Sequence, residues 1–193
     1  MKFHFTNLSV VSSAQLSPCR TYRYALWRTW DETKPYALFV CLNPSTADEI
    51  YDDPTLLRCI EFAQSWGYGG LCIGNLFAFR ATQPKDLMKS SNPIGDDNDY
   101  WLEQLSKDAG IVIAGWGNHG VFLNRSAEVL SKLPEICCLK VNKSGQPSHP
   151  LYLKKGLDPI PFPEGKSLSS LIIDQSAISH SLRLSHAALP GLS

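Results

Sequence analysis

Hydrophobic and polar positions alternate along "YRYALWRTW" (residues 22–30), where aromatic and aliphatic side chains are interleaved with Arg23 and Arg28. That period of two predicts an edge strand with one wet face. After "DETKP", the run "YALFVCL" (36–42) is apolar throughout, as in a strand buried on both faces. Together the two runs read as an N-terminal edge hairpin over residues 22–43. "DDPTLLRCIEFAQSWG" (52–67) predicts a helix: Asp53 can cap it, Pro54 suits its first position and Gly67 suits its stop. "GLCIGN" (70–75) is a second buried strand. "GDDNDYWLEQLSKDAG" (95–110) is a helix with an acidic start, closed by Gly110. "IVIAG" (111–115) is a third strand, "NHGVFLNRSAEVLSKL" (118–133) a third helix, and "EICCLKV" (135–141) a fourth strand. Strand–helix alternation with short connections predicts an α/β fold whose mostly parallel sheet of four strands is covered on both faces. The expected organisation is one domain over residues 1–165. Residues 166–193, rich in serine and poor in charge, read as an appended tail.

Composition narrows this picture without redirecting it. At 193 residues, 44% hydrophobic and 19% charged, the chain can bury a core without covalent staples. Lys+Arg and Asp+Glu both total 18, so the net charge is zero, which argues against a broad phosphate-neutralising surface. The six cysteines form no CxxC pair and no Cys/His cluster at metal spacing, so a reduced, cytoplasmic protein with no metal is expected. No signal-peptide pattern and no membrane-length apolar run is present, and no membrane partner is expected.

The candidate chemistry lies at the strand ends. "FVCLNPSTAD" (39–48) carries an apolar run into Asn43-Pro44 and on to Asp48. Asn75 ends the next strand, Trp116, Asn118 and His119 follow the third, and His149 follows the fourth in "SGQPSHPLYL". In an open parallel sheet these ends face one crevice, where ligands bind. Each residue alone has a plainer reading. Asn43-Pro44 is a turn signal, Asn75 a backbone cap, His149 a surface loop residue, Trp116 a core plug, and Asp53 a helix cap. Their convergence on one edge favours a site. Cys41 and Cys59 are the alternative nucleophiles, but neither has a basic partner legible in the sequence.

The segments "CLNPSTAD", "GNLFAFRATQP", "IVIAGWG" and "GQPSHPLYL", in this order, resemble motifs of the uracil-DNA glycosylase superfamily. The chain is most similar to a member family known only as a domain of unknown function, and the likeness runs over about residues 22–153. The resemblance implies a three-layer, uracil-DNA glycosylase-like sandwich and hydrolysis of an N-glycosidic bond to a nucleobase. It implies that Asn43 orients the attacking water, Asn75 reads the base edge and His149 donates to the departing base. A neutral asparagine is a poor general base, so Asp48 or Asp52 is expected to supply the carboxylate. Ser45 and Thr46 are expected to bond phosphate or sugar oxygens, with Arg80 also among the substrate-binding residues. Tyr51, Phe77 and Trp116 are the candidates for stacking on the base. Leu151 stands where a serine usually follows the His-Pro pair. The implied partner is a nucleobase-containing ligand (single-stranded nucleic acid, nucleoside or nucleotide), with no cofactor. The alternative is a base or nucleotide reader on the same fold that does not turn over.

Overall fold

Seven strands build one mixed sheet in the order β1-β2-β4-β3-β5-β6-β7. The structure is a computed structural model describing residues 10–163 apart from Thr46 and Pro134, with the backbone alone described for Pro84. Strand β1 (Val11–Leu16) pairs antiparallel with β2 (Arg23–Thr29), and β2 pairs antiparallel with β4 (Gly70–Asn75). Strand β3 (Tyr36–Cys41) runs parallel to β4 on one side and to β5 (Ile111–Ala114) on the other. Strand β6 (Cys137–Cys138) continues the parallel set, and β7 (Ile160–Pro161) closes that edge antiparallel. The expected sheet of four strands is therefore one of seven.

Helices α1 (Pro54–Ser65), α2 (Pro84–Leu87), α3 (Asn98–Asp108) and α4 (Arg125–Lys132) complete the fold. On one face α1 packs Leu56, Ile60 and Phe62 against Phe39, Leu71 and Ile113. On the other, α3 and α4 set Leu102, Leu105 and Val129 against Leu38, Val40 and Val112. The apolar strands thus lose both faces to water, which accounts for their continuous hydrophobic runs. Helix α1 begins as its sequence indicates: Asp53 accepts a hydrogen bond from the Leu56 amide, with Pro54 in the first position.

Four expectations are corrected. The hairpin over residues 22–43 does not form, because β4 lies between β2 and β3. The 31–35 turn has to cross two strand spacings, about 10 Å, which a few extended residues span easily. Gly69 passes directly against this turn: a Cβ there would lie 2.0 Å from the Asp31 carbonyl oxygen. The amides of Trp30 and Asp31 both donate to the Gly69 carbonyl. Second, β2 is not an edge strand, and its arginines do not face water. Arg23 and Arg28 are 3% and 2% exposed. Arg28 binds Asp52 Oδ1 through Nε (2.9 Å) and Nη2 (2.7 Å), and Nη2 also reaches the Asp48 carbonyl. The edge role belongs to β1, whose polar, serine-containing sequence gave little strand signal.

Third, the expected helix over 118–133 is helical to plan only from Arg125. Residues Asn118–Asn124 form a 3-10 segment interrupted at Phe122 and Leu123. The break turns Phe122 onto Phe77, ring centroids 5.5 Å apart, so apolar packing overrides helical continuity there. Fourth, the expected strand over 135–141 reduces to two paired residues. Beyond Leu139 the backbone closes a turn on itself, with the Asn142 amide on the Gln146 carbonyl and the Gly145 amide on the Asn142 carbonyl. These groups are withdrawn from the ladder. The described residues through Phe162 belong to one compact unit. The expected tail, 166–193, lies outside the described residues.

Candidate functional site

A cavity of about 640 Å³ opens at the carboxyl ends of β3, β4, β5 and β6. Asn43 and Ser45 reach it from the turn after β3, Asn75 from the end of β4, Trp116 from beyond β5, and His149 from the loop after β6. Thr46 lies outside the described residues.

Asn75 is the most informative member. It is 1% exposed, and neither its amide nitrogen nor its amide oxygen has a hydrogen-bond partner among the described residues. Leaving such groups buried and unpaired costs about 1–3 kcal/mol each, so a fold keeps them only where something else is served. The backbone beneath is firmly held. Asn98 Nδ2 donates to the carbonyls of Asn75 and Leu76, both at 3.0 Å, and Arg125 Nε donates to the Leu76 carbonyl at 2.8 Å. Asn98 and Arg125 are themselves fully buried, with Arg125 paired to Asp99 and to Glu128. Positioning is thus rigid while the side-chain amide stays free.

Asn43 shows the reverse division. Its Nδ2 donates to the carbonyls of Pro44 (3.0 Å) and Ala81 (2.7 Å), so only Oδ1, an acceptor, remains uncommitted. His149 caps the short helical turn Pro150–Tyr152, its Nδ1 accepting from the Leu151 amide at 3.4 Å. Burial lowers its pKa, opposed by the field of Asp53, so the ring is neutral near pH 7. A neutral imidazole accepting at Nδ1 carries its proton on Nε2, which makes Nε2 a donor. Trp116 is 2% exposed; it lines the cavity edge-on to Phe162 and donates from Nε1 to Gln146 at 2.8 Å. Its position leaves no room at Gly120, where a Cβ would lie 2.1 Å from the indole Cδ1.

Five sequence candidates stand elsewhere. Neither Asp48 nor Asp52 is among the lining residues, and Asp52 is paired with Arg28. Asp48 Oδ1 accepts from the amides of Ile50 and Tyr51, both at 2.9 Å, and these bonds hold the Asp48 pKa below the usual carboxylate range. Local turn chemistry has captured that carboxylate. Tyr51, 69% exposed, belongs to the same turn. Phe77 is fully buried against Phe122 on the α3–α4 face and cannot stack on a ligand in the cavity. Arg80 is half-buried, with Nη1 3.4 Å from the Arg20 carbonyl oxygen, and does not line the cavity.

Several lining residues carry no site assignment from the sequence, Lys140 and Asn142 among them, and three bear most on the chemistry. Asp53, read only as a cap, both caps α1 and lines the cavity. Tyr152 lines it too; 83% exposed, its ring centroid lies 5.6 Å from that of His149, and the "HPLYL" motif was its signal. Arg23 had no signal at all. Cys41 also lines the cavity, but its neighbour Cys59 is fully buried and its thiol is pushed well up in pKa by burial and by Cys41. That environment opposes thiolate chemistry. Among the described residues no group of three His, Cys, Asp or Glu side chains could hold a metal ion, and no helix is long and apolar enough to cross a membrane.

Comparison with protein families finds one described as "Protein of unknown function (DUF1643)", whose model matches residues 23–151. The chain belongs to this family. The DUF1643 segment opens on Arg23 and closes on Leu151, so it takes in Asn43, Asp53, Asn75, Trp116 and His149 and stops one residue short of Tyr152. Neither the curated proteins nor the solved structures yielded a match.

Proposed function

We propose that this DUF1643 chain is a nucleobase N-glycosidic bond hydrolase, acting in the cavity at the carboxyl ends of the parallel strands. The single observation that carries the reading is Asn75: a buried amide, rigidly mounted, with its donor and its acceptor both vacant. One asparagine can pair with the adjacent donor and acceptor on a base edge. The motif resemblance to the uracil-DNA glycosylase superfamily adds support, and the expected three-layer sandwich belongs with this proposal.

Around a base held by Asn75, the other groups have matching tasks. Asn43 Oδ1 accepts a hydrogen bond from a water and orients its oxygen toward the anomeric carbon. Asp53, the carboxylate lining the cavity, takes that water's proton in place of Asp48. As the C–N bond breaks, its electron pair leaves with the base, and His149 Nε2–H stabilises the developing anion. The water oxygen bonds to the sugar, and the base leaves after gaining a proton. A single donor to such an anion is worth about 3 kcal/mol of barrier. Tyr152 and Trp116 are the aromatic surfaces available to a base, and Ser45 and Thr46 remain proposed contacts to sugar or phosphate oxygens.

A non-catalytic reader of nucleotides or modified bases is the second reading. It is favoured by the commitment of Asp53 to its helix cap and by the lack of a carboxylate at position 43. Base release measured by mass spectrometry separates the two. Wild type and Asn43→Ala are incubated with nucleosides, nucleotides, and single- and double-stranded oligonucleotides bearing modified bases. Free base from wild type and none from Asn43→Ala supports the hydrolase. Binding that depends on Asn75 without release supports the reader, and absence of both binding and release overturns the two readings together.

A further inference from the structure

Three arginines of this fold are almost fully buried: Arg23, Arg28 and Arg125, at 3%, 2% and 0% exposed. Two of them are neutralised directly, Arg28 by Asp52 at 2.7 Å and Arg125 by Asp99 and Glu128. Arg23 has no carboxylate within ion-pairing distance among the described residues. Its Nη1 donates to the Ala47 carbonyl, and among the described residues its buried Nε has no partner and its Nη2 makes no hydrogen bond. Burial brings its pKa down to about 10, opposed by the field of Asp53. A buried, unpaired cation is costly, and on a cavity wall an anionic ligand can supply the missing partner.

The backbone aims this residue deliberately. Along β2, strand alternation places Leu26 and Arg28 on the α1 face and Ala25 on the opposite one. Unbroken alternation would send Arg23 to the same side as Ala25, away from the cavity. The β1–β2 register shifts between Gln15, opposite Ala25, and Leu16, opposite Arg23, so Tyr24 is an extra, bulged residue. The bulge reverses the alternation and brings Arg23 to the cavity, which it lines together with Leu26, Asn43 and Asn75. Bulges beside functional sites characteristically redirect a side chain in this way.

We propose that Arg23 is an anion subsite within the base-binding cavity, and that the preferred ligand is a nucleoside monophosphate whose terminal phosphate meets this guanidinium. The inference rests on the base-binding reading of Asn75 for the nucleoside half of the ligand. A terminal phosphate suits the site better than the phosphodiester of a strand. A group 3% exposed admits a chain end more readily than a backbone that must leave on both sides, and the net charge of zero argues against a broad basic surface for a polyanion.

The test is calorimetric titration of the full chain with uridine, adenosine, guanosine and cytidine, their 5′-monophosphates, inorganic phosphate, and a short single-stranded oligonucleotide. In wild type, at least one monophosphate should bind about tenfold or more tighter than its nucleoside, as a charge-assisted bond to a buried arginine warrants. That gap should close in Arg23→Gln and persist in part in Arg23→Lys, whereas Asn75→Ala should weaken nucleoside and nucleotide alike. The wild-type gap is readable even where Arg23→Gln does not fold. Equal wild-type affinities for nucleoside and monophosphate overturn the anion subsite and leave the base site standing. Binding of inorganic phosphate that Arg23→Gln abolishes, with no nucleoside bound, upholds the subsite and overturns the base reading. Tighter binding of the oligonucleotide than of every monophosphate overturns the terminal-phosphate assignment.

Discussion

At the scale of single residues, Asn75 and His149 of the proposed site each have a measurable signature. Asn75→Ala deletes two buried groups with no protein partner among the described residues, so stability should be held or raised by up to about 1 kcal/mol, while nucleobase binding falls about 100-fold or more. Urea unfolding and calorimetry read the two effects, and a loss of stability would show that the amide has a structural partner after all. His149 carries a pH signature, since its folded pKa lies below its unfolded value of 6.5. The unfolded chain therefore binds the extra proton first. Stability is intact above about pH 6.5 and declines as pH falls from there to the folded pKa, below which the loss is complete. Unfolding of wild type and His149→Gln between pH 8 and pH 5 should show that this part of the slope is missing from the variant.

At the scale of elements, α1 links stability to chemistry through its first turn. Asp53→Ala should cost about 1 kcal/mol of stability by removing the cap to the Leu56 amide. Asp53→Asn keeps an equally good cap and should melt like wild type. If Asp53 is also the proton acceptor, Asp53→Asn should lose base release by about 100-fold or more. Undiminished release from Asp53→Asn would confine the residue to its structural role. The β2 bulge is the other element-level device: one extra residue sends Tyr24 and Arg23 to faces that regular alternation would not choose.

For the molecule as a whole, the two-sided coverage of the sheet controls cysteine reactivity. Cys41, Cys59, Cys72 and Cys138 are buried, Cys137 is half-buried, and Cys19 alone is exposed. Hydrogen bonds from Ser17 and Thr21 bring the Cys19 thiol to a pKa of about 7, whereas burial raises Cys137 and Cys138. Brief alkylation of the native chain at pH 7.5 should yield a single adduct at Cys19 by peptide mass mapping, with ligand binding unchanged. Modification at Cys41 or Cys59 that abolishes activity would revive thiol catalysis.

Much of the plan is local and therefore readable along the chain. Continuous apolar runs mark β3, β4 and β5 because strands covered on both faces need them, and Asp53-Pro54 marks α1 because a cap involves only its own turn. The strand-end placement of Asn43, Asn75, Trp116 and His149 follows from the parallel alternation alone. Decisions between distant segments are not encoded so locally. The insertion of β4 between β2 and β3, the burial of Arg28 on Asp52, the capture of Asp48 by its own turn, and the bulge that turns Arg23 into the cavity each arise when alternatives of similar local energy are settled by packing. The sequence by itself determined which residues stand at the strand ends around the cavity, because periodicity is a property of neighbouring residues. Only the tertiary structure decided which charged groups meet there, because a buried charge is placed by partners far from it in the chain.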